Sequence, residues 1–353
     1  MKKIIALGIL LLVVIAFSVF WYFSPGTTSS IAGANSIAVI EEPVIGNVKQ
    51  SLIIRGKNVD NPVLLFVHGG PGMSTFPFMK EQFKGLEDLF TICYWEQRGA
   101  GKSYSKEIPP ESMTLDQLTS DGVEVSRYLK KKFGKEKIYV MGHSWGSLLA
   151  SFMIHDHPEL YHAYIGIGQI ADQYLSEQRS YAFVLAEARK RNDQQALDEL
   201  KKLKLPAPTA SGQEWFDYFW IQRKMVLRFG GGRYGVARKN SDLYKPIFIC
   251  KEYTMADKIY YQTGLTFSLV HLCHYMIIKN PASLLTEQKV PVYIMQGRHD
   301  QQTNFDVAKD YFDHLQAPLK KFYAFEHSAH LPHLEEFDTF RKILREDVIG
   351  ERE

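Results

Sequence analysis

Apolar stretches alternate with polar, helix-compatible ones along most of the chain, and this alternation predicts its elements. Ser36–Ile40 and Val48–Ile54 read as two strands of a hairpin-like edge, and the wholly apolar Pro62–Val67 as a buried strand. Phe76–Phe90 has helical periodicity and Thr91–Trp95 returns as a strand. Thr114 and Gln117 form a capping box before a helix to about Phe133, whose apolar face carries Leu115, Leu118, Val125 and Leu129. Lys137–Met141 and Leu160–Ile167 are the next strands. From Tyr174 to about Leu285 the pattern becomes helix-rich, dense in aromatics (Trp215, Phe216, Tyr218, Phe219, Trp220) and broken by Pro206, Pro208 and Gly230-Gly231-Gly232. Strands resume at Val290–Met295 and Lys320–Phe325, with a helix over Phe305–Leu315 between them. Strands alternating with helices predict an α/β fold with a mainly parallel sheet wrapped by helices, and the strandless stretch predicts a helical insertion.

Before the first strand, Lys2 and Lys3 precede an apolar run from Ile4 to Phe23, interrupted only by Gly8 and Ser18. A spanning helix needs about 20 apolar residues, whereas a cleavable signal has an apolar region of only about 7 to 15. Residues 1–24 are therefore expected to form a membrane anchor. The lysines place its start in the cytoplasm and the rest of the protein outside. The small-residue pattern Ala32-Gly33-Ala34 gives the alternative, a cleaved signal and a secreted product. Residues 25–35 read as a linker, 36–172 and 287–353 as the two parts of the core, and 173–286 as a helical lid that excludes water and shapes a substrate pocket.

At 353 residues, with 45% hydrophobic and 23% charged residues, the chain is long enough for one large core with an insertion. A net charge of +3 leaves no basic stripe, because the run from Arg189 to Lys204 is diluted by Asp193, Asp198 and Glu199. Nucleic acid is not an expected partner. Cys93, Cys250 and Cys273 are scattered, with no paired spacing, and read as core thiols.

The chemistry centres on Tyr139–Ala150, where an apolar strand meets Gly142-His143-Ser144-Trp145-Gly146 and runs on into a helix. This GxSxG is a nucleophile elbow: a sharp strand-to-helix turn holds the Ser144 hydroxyl out where a histidine can take its proton. The backbone N–H of Trp145 and the positive end of its helix face the place where negative charge would develop. His68-Gly69-Gly70-Pro71-Gly72 follows a buried strand and supplies the second half of an oxyanion hole. Gly101-Lys102-Ser103 is the tail of a phosphate-binding loop, but Glu96 stands where that loop requires glycine, so nucleotide binding is not expected. Asp300, just past a strand end, is the predicted acid, with Asp172 as the alternative. His327, His330 and His333 lie three apart, but Pro332 keeps them off one helix face; one of them acts as a base, and no metal or cofactor is expected.

Together these residues resemble the α/β-hydrolase superfamily, and within it the proline iminopeptidase-like branch. The matching segments are His68–Gly72, Gln97-Arg98-Gly99-Ala100-Gly101 with Ser103, Gly142–Ser147, Gly297 with Asp300, and Ser328-Ala329-His330 with Glu335. The resemblance implies Ser144 as nucleophile, Asp300 as acid and His330 as base, because Ala329-His330 stands where the family has Gly-His. It also implies the N–H groups of Gly70 and Trp145 as oxyanion donors. Two positions depart from the branch: Glu96 replaces its usual aspartate, and Ile221 follows Trp220 where proline iminopeptidases carry a glutamate for the substrate amine.

The implied activity is a serine hydrolase that releases N-terminal residues, proline first, from short peptides. The alternative is an esterase, amidase or lactonase acting on a small acyl substrate. A peptidase that reads a free amine needs carboxylates opposite it. Glu214 and Asp217, three apart among Trp215, Phe216, Tyr218 and Phe219, are expected to share a helix face beside an aromatic wall and to supply them.

Overall fold

The computed structural model describes residues 8–15, 19, 26–235 and 241–350. Its strands, in chain order, are β1 (Ile37–Glu41), β2 (Val44–Ile45), β3 (Val48–Lys49), β4 (Leu52–Gly56), β5 (Val63–Val67), β6 (Thr91–Trp95), β7 (Ile138–His143), β8 (Tyr161–Ile167), β9 (Val292–Gly297) and β10 (Lys320–Phe325). All but β2 and β3 join one eight-stranded sheet, in the order β1-β4-β6-β5-β7-β8-β9-β10. β5 to β10 are parallel, and β4 and β1 add an antiparallel edge. The C-terminal ends of the parallel strands therefore share one rim, where an open parallel sheet places its ligands.

The core strands are apolar on both faces. In β5, Val63, Leu65 and Val67 join the core on one side and Leu64 and Phe66 the core on the other. β7 divides its residues likewise, with Ile138 and Val140 on the first side and Tyr139 and Met141 on the second. Helices Leu115–Phe133 and Trp145–Asp156 cover the first face through Leu118, Val125, Leu129, Leu148 and Leu149. Helices Phe76–Phe83 and Phe337–Ile343 cover the second, where the Phe83 and Phe340 rings stack 6.2 Å apart. The long helix starts where expected, with Thr114 Oγ1 accepting from Gln117 N at 3.1 Å. It stops at Gly134, whose φ of 61° suits a residue without a Cβ.

Between β8 and β9 the described chain is helical, and three of these helices, Gln173–Lys190, Gln194–Lys202 and Gly212–Arg228, build a small core of their own from Val184, Ala188, Leu200, Met225, Val226 and Phe229.

The run expected as one strand over Val48–Ile54 is split. β2 and β3 form a separate two-stranded ribbon, and β4 begins only at Leu52. A two-residue turn in which Gly46 and Asn47 have φ of 54° and 64°, the geometry of a tight hairpin, folds β3 back on β2, and between β3 and β4 Gln50 N and Ser51 N are spent on Pro43 O and Ser103 Oγ at 3.0 and 2.8 Å. Asp121 and Arg98, a buried pair joined by two hydrogen bonds of 2.8 and 3.0 Å, hold this ribbon down, with Arg98 also donating to Gly46 O at 2.8 Å.

The expected membrane anchor over residues 1–24, and with it the extracytoplasmic placement of the domain, is corrected. Among the described residues no helix is long and apolar enough to cross a membrane. Of that stretch residues 8–15 and 19 are helical, and the rest of the expectation lies outside the described residues.

Candidate active site

Ser144 sits at the end of β7 with φ 55° and ψ −122°, a conformation that non-glycine residues enter only under constraint. The constraint is packing. A Cβ on Gly142 would lie 2.3 Å from Gly146 O, and one on Gly146 2.0 Å from Val67 O, so the turn closes this tightly only with glycine at both places. Ser144 N donates to Ile167 O at 2.9 Å, which fastens the elbow to β8. Among the described residues, neither Trp145 N nor Gly70 N is spent on a protein acceptor. The glycine loop lies against the serine, since a Cβ on Gly69 would be 3.1 Å from Ser144 Cβ.

Asp300 and His330 meet as the sequence suggested, with His330 Nδ1 2.8 Å from Asp300 Oδ2. Asp300 is fully buried and receives four further hydrogen bonds. Gln302 N and Thr303 N donate to Oδ1 at 2.8 and 3.0 Å, and Thr303 Oγ1 and Gln296 Nε2 to Oδ2 at 2.8 and 3.0 Å. So many donors stabilise a carboxylate in a dry setting and fix its direction. Gln296 and Thr303 were not identified from sequence; the available signal was a glutamine at the end of an otherwise apolar strand.

The His330 ring packs on Gly168, where a Cβ would come within 3.0 Å of it. Gly168 directly follows Ile167, to which Ser144 is tied. From the other side His143 Nε2 donates to His330 O at 2.9 Å. Serine and histidine are thus brought to one place by both neighbours of the elbow, although no hydrogen bond joins Ser144 Oγ to His330 among the described residues. Glu335 and Glu336 hold the histidine loop by accepting from Ala329 N at 2.8 Å and His327 N at 3.0 Å.

Three other histidines near the site are kept neutral. Burial pushes His68 down to about 4 and His143 down to about 3, and it holds His333 well below the ordinary range. His68 accepts from Gln97 N at 3.2 Å, and Gln97 also receives the Trp145 indole N–H at 3.0 Å and donates to His68 O at 2.8 Å. Gln97 therefore links the two segments that carry the free N–H groups. His327 is exposed beside Tyr234, whereas His333 is buried between His143 and Phe83.

Other predicted positions fall elsewhere. Asp172 caps helix Gln173–Lys190, accepting from Leu175 N at 2.8 Å and Asn280 Nδ2 at 3.0 Å. Lys102 N donates to Glu96 at 2.8 Å and its ammonium pairs with Asp257 at 2.9 Å, so Gly101-Lys102-Ser103 is an internal turn. Glu214 and Asp217 do share a helix face, but it is the solvent face. Trp215, Tyr218 and Phe219 are buried on the opposite side. Glu214 is spent on its own helix start, where it accepts from Ser211 N at 2.9 Å while Ser211 Oγ caps Glu214 N. Asp217 accepts from Gln213 at 2.8 Å.

A buried carboxylate of this helical region that does lie near the site is Glu177. It pairs with Arg223, whose Nη1 lies 2.9 Å from Oε2, and accepts from Gln173 at 2.5 Å. Gln173 also donates to Gln302 O at 2.8 Å, which places the cluster beside the Asp300 turn. Gln173 Oε1, Trp215 Nε1 and Tyr218 Oη remain buried without a protein partner there.

A family model of the α/β hydrolase fold matches residues 62–219. The probable aminopeptidase YbaC of Bacillus subtilis (strain 168) is 34% identical over 318 residues, covering 88% of this chain and 96% of that protein. The proline iminopeptidase of Neisseria gonorrhoeae is 34% identical over a shorter stretch of 102 residues, 29% of this chain and 31% of that one. Among solved structures, the proline iminopeptidase of Mycobacterium smegmatis shares the fold with a TM-score of 0.61 at 17% identity, over 87% of this chain and 96% of that chain. With the sheet order, the elbow and the Asp300–His330 pair already in place, these likenesses lead to one assignment: the chain is a hydrolase that belongs to the α/β-hydrolase family, in its proline iminopeptidase-like branch.

Proposed function

We propose that the protein is a serine aminopeptidase that releases the N-terminal residue of short peptides through an acyl-enzyme. The observation that carries this reading is the convergence of Ser144, His330 and Asp300 on one rim of the sheet, in a chain alike over nearly its whole length to a probable aminopeptidase.

On this reading Ser144 Oγ attacks the scissile carbonyl carbon while His330 Nε2 takes the hydroxyl proton. The carbonyl oxygen becomes an oxyanion and is met by Gly70 N–H and Trp145 N–H. As the tetrahedral species collapses, His330 gives the proton to the leaving amine and the C–N bond breaks. Water then repeats the sequence on the acyl-serine and frees the amino acid. Asp300, held by its five donors, orients His330 and balances its charge when it is protonated. The helices of residues 173–286 serve as the cover that excludes water.

An esterase or amidase reading is favoured by one observation: both oxygens of Glu177 are occupied by Arg223 and Gln173, so no free carboxylate waits there for an ammonium. Hydrolysis of aminoacyl-naphthylamides against short-chain nitrophenyl esters decides. The peptidase reading expects higher kcat/KM on free-amine substrates than on their N-acetylated forms. A protein that cleaves the esters and ignores free-amine substrates is an esterase.

A further inference from the structure

The proposed mechanism leaves unused one buried carboxyl close to the glycine loop. Glu96, at the end of β6, is 1% exposed, and burial pushes its carboxyl above the ordinary range although several donors surround it. Ser74 Oγ donates to its Oε1, Lys102 N donates to Oε2 at 2.8 Å, and Tyr253 Oη lies 2.7 Å from Oε1 and 2.6 Å from Ser74 Oγ. A buried carboxyl is costly, and here the donors come from three separate segments of the chain.

What these contacts hold is the loop that presents Gly70 N–H. Residues 69–74 fold on themselves: Met73 N donates to Gly69 O at 3.1 Å, and a Cβ on Gly70, whose φ is 121°, would lie 2.5 Å from Met73 N. A loop this tight moves as one piece, so its far end governs its near end. Ser74 is that far end, and it is gripped twice, by Glu96 at its hydroxyl and by Tyr261 Oη, which donates to Ser74 O at 2.6 Å. Helix Met255–Leu272 also presses on the loop directly, because a Cβ on Gly72 would lie 2.3 Å from Ser268 Cβ.

We infer that Glu96 is a positioning residue for the oxyanion hole: acting through Ser74 it sets where Gly70 N–H points, and through Tyr253 it makes that direction depend on the helical segment between β8 and β9. The inference rests on the serine-hydrolase reading above. An oxyanion donor works only within about 2.7–3.1 Å of the developing charge, so a small shift of the loop weakens the transition state and leaves substrate binding nearly alone.

The test uses full-length Ser74→Ala, Tyr253→Phe and Glu96→Gln. Each is assayed for kcat and KM on whichever substrate the wild type cleaves, for the rate of fluorophosphonate labelling at Ser144, and for thermal melting. Ser74→Ala and Tyr253→Phe are expected to lower kcat about 10-fold or more while KM stays within about 2-fold, and to slow labelling by the same factor. Glu96→Gln, which keeps an oxygen for both hydroxyls but sets an amide N–H against Lys102 N, is expected to lower kcat and labelling in the same direction, by about 3-fold or more. Tyr253→Phe keeps the ring and its packing, so it remains decisive should another variant not fold. Unchanged kcat and labelling in that variant, or a rise in KM alone, overturns the inference. If the wild type is not labelled at Ser144 and Ser144→Ala remains active, it is the serine reading that fails.

Discussion

At the scale of single residues, the proposed chemistry is concentrated in a few atoms and is sharply testable. His330→Ala is expected to lower kcat by about 10⁴ to 10⁶, whereas the exposed His327 is expected to be dispensable, so His327→Ala should stay within about 2-fold of wild type in a steady-state assay. The neutral histidines make a prediction about pH. In the unfolded chain they take up protons near 6.5, but His68 does so only at about 4 and His143 at about 3 when folded, with His333 likewise depressed. Below pH 6.5 the unfolded state binds more protons. The stability gained by keeping these rings neutral is complete above that pH and is lost as pH falls. Glu96 and Glu335, raised by burial, protonate first in the folded state and offset part of the loss. His333→Phe should therefore flatten the slope of unfolding free energy between pH 6 and 5, by at most about 1.4 kcal/mol per unit, read by urea titration at each pH. An unaltered slope would show that His333 titrates normally in the fold. Ser144 and Asp300 could be singled out from sequence because each stands just past a strand, whereas only the likeness of Ala329-His330 to the family's Gly-His set His330 apart from His327 and His333. Gln296 and Thr303 could not be singled out, and the partners of Gln97 stayed hidden although its segment matches the family, because a hydrogen bond across the sheet rim leaves no periodic trace in the chain.

At the scale of elements, the elbow and the helix starts are fixed by different forces. The elbow is a steric device, so Gly142→Ala or Gly146→Ala, which thrust a methyl to within 2.3 or 2.0 Å of a backbone oxygen, should cost more than about 3 kcal/mol or prevent folding, as urea unfolding would report. The helix Gly212–Arg228 begins instead on a reciprocal cap, and Ser211→Ala should cost about 1 kcal/mol. Glu214→Gln should weaken the same cap and leave KM for free-amine substrates unchanged; a selective rise in that KM would return Glu214 to substrate recognition. The spacing of Glu214 and Asp217 in the sequence is right for a shared face, but the face is the wrong side of the helix. Periodicity says which residues share a face, and only the packing of Trp215 and Tyr218 says which face turns inward. The strands at the centre of the sheet were legible for the complementary reason: a parallel sheet buried on both sides needs apolar runs, and β5, β7 and β9 supply them. The split before β4 was hidden because the acceptors that draw Gln50 N and Ser51 N out of the ladder, Pro43 O and Ser103 Oγ, lie outside the run itself.

At the scale of the whole molecule, burial makes the three cysteines inert. Each is fully buried, and burial pushes the Cys250 and Cys273 thiols up to about 12, with Cys93 raised as well. A thiol reagent should find no fast-reacting group in the native protein and three after denaturation; rapid native reaction would mean that part of the core opens. The linear order of the parts has a consequence of another kind. The strands carrying the glycine loop and Ser144 come early in the chain, and those leading to Asp300 and His330 come last and sit side by side at one margin of the sheet. A nascent polypeptide that has emerged only through Val290 holds, on the proposed reading, the nucleophile and its oxyanion donors without the acid and base that complete them. On the proposed reading, hydrolysis begins only when synthesis is nearly finished, and any product of premature termination before His330 is harmless to the peptides around it.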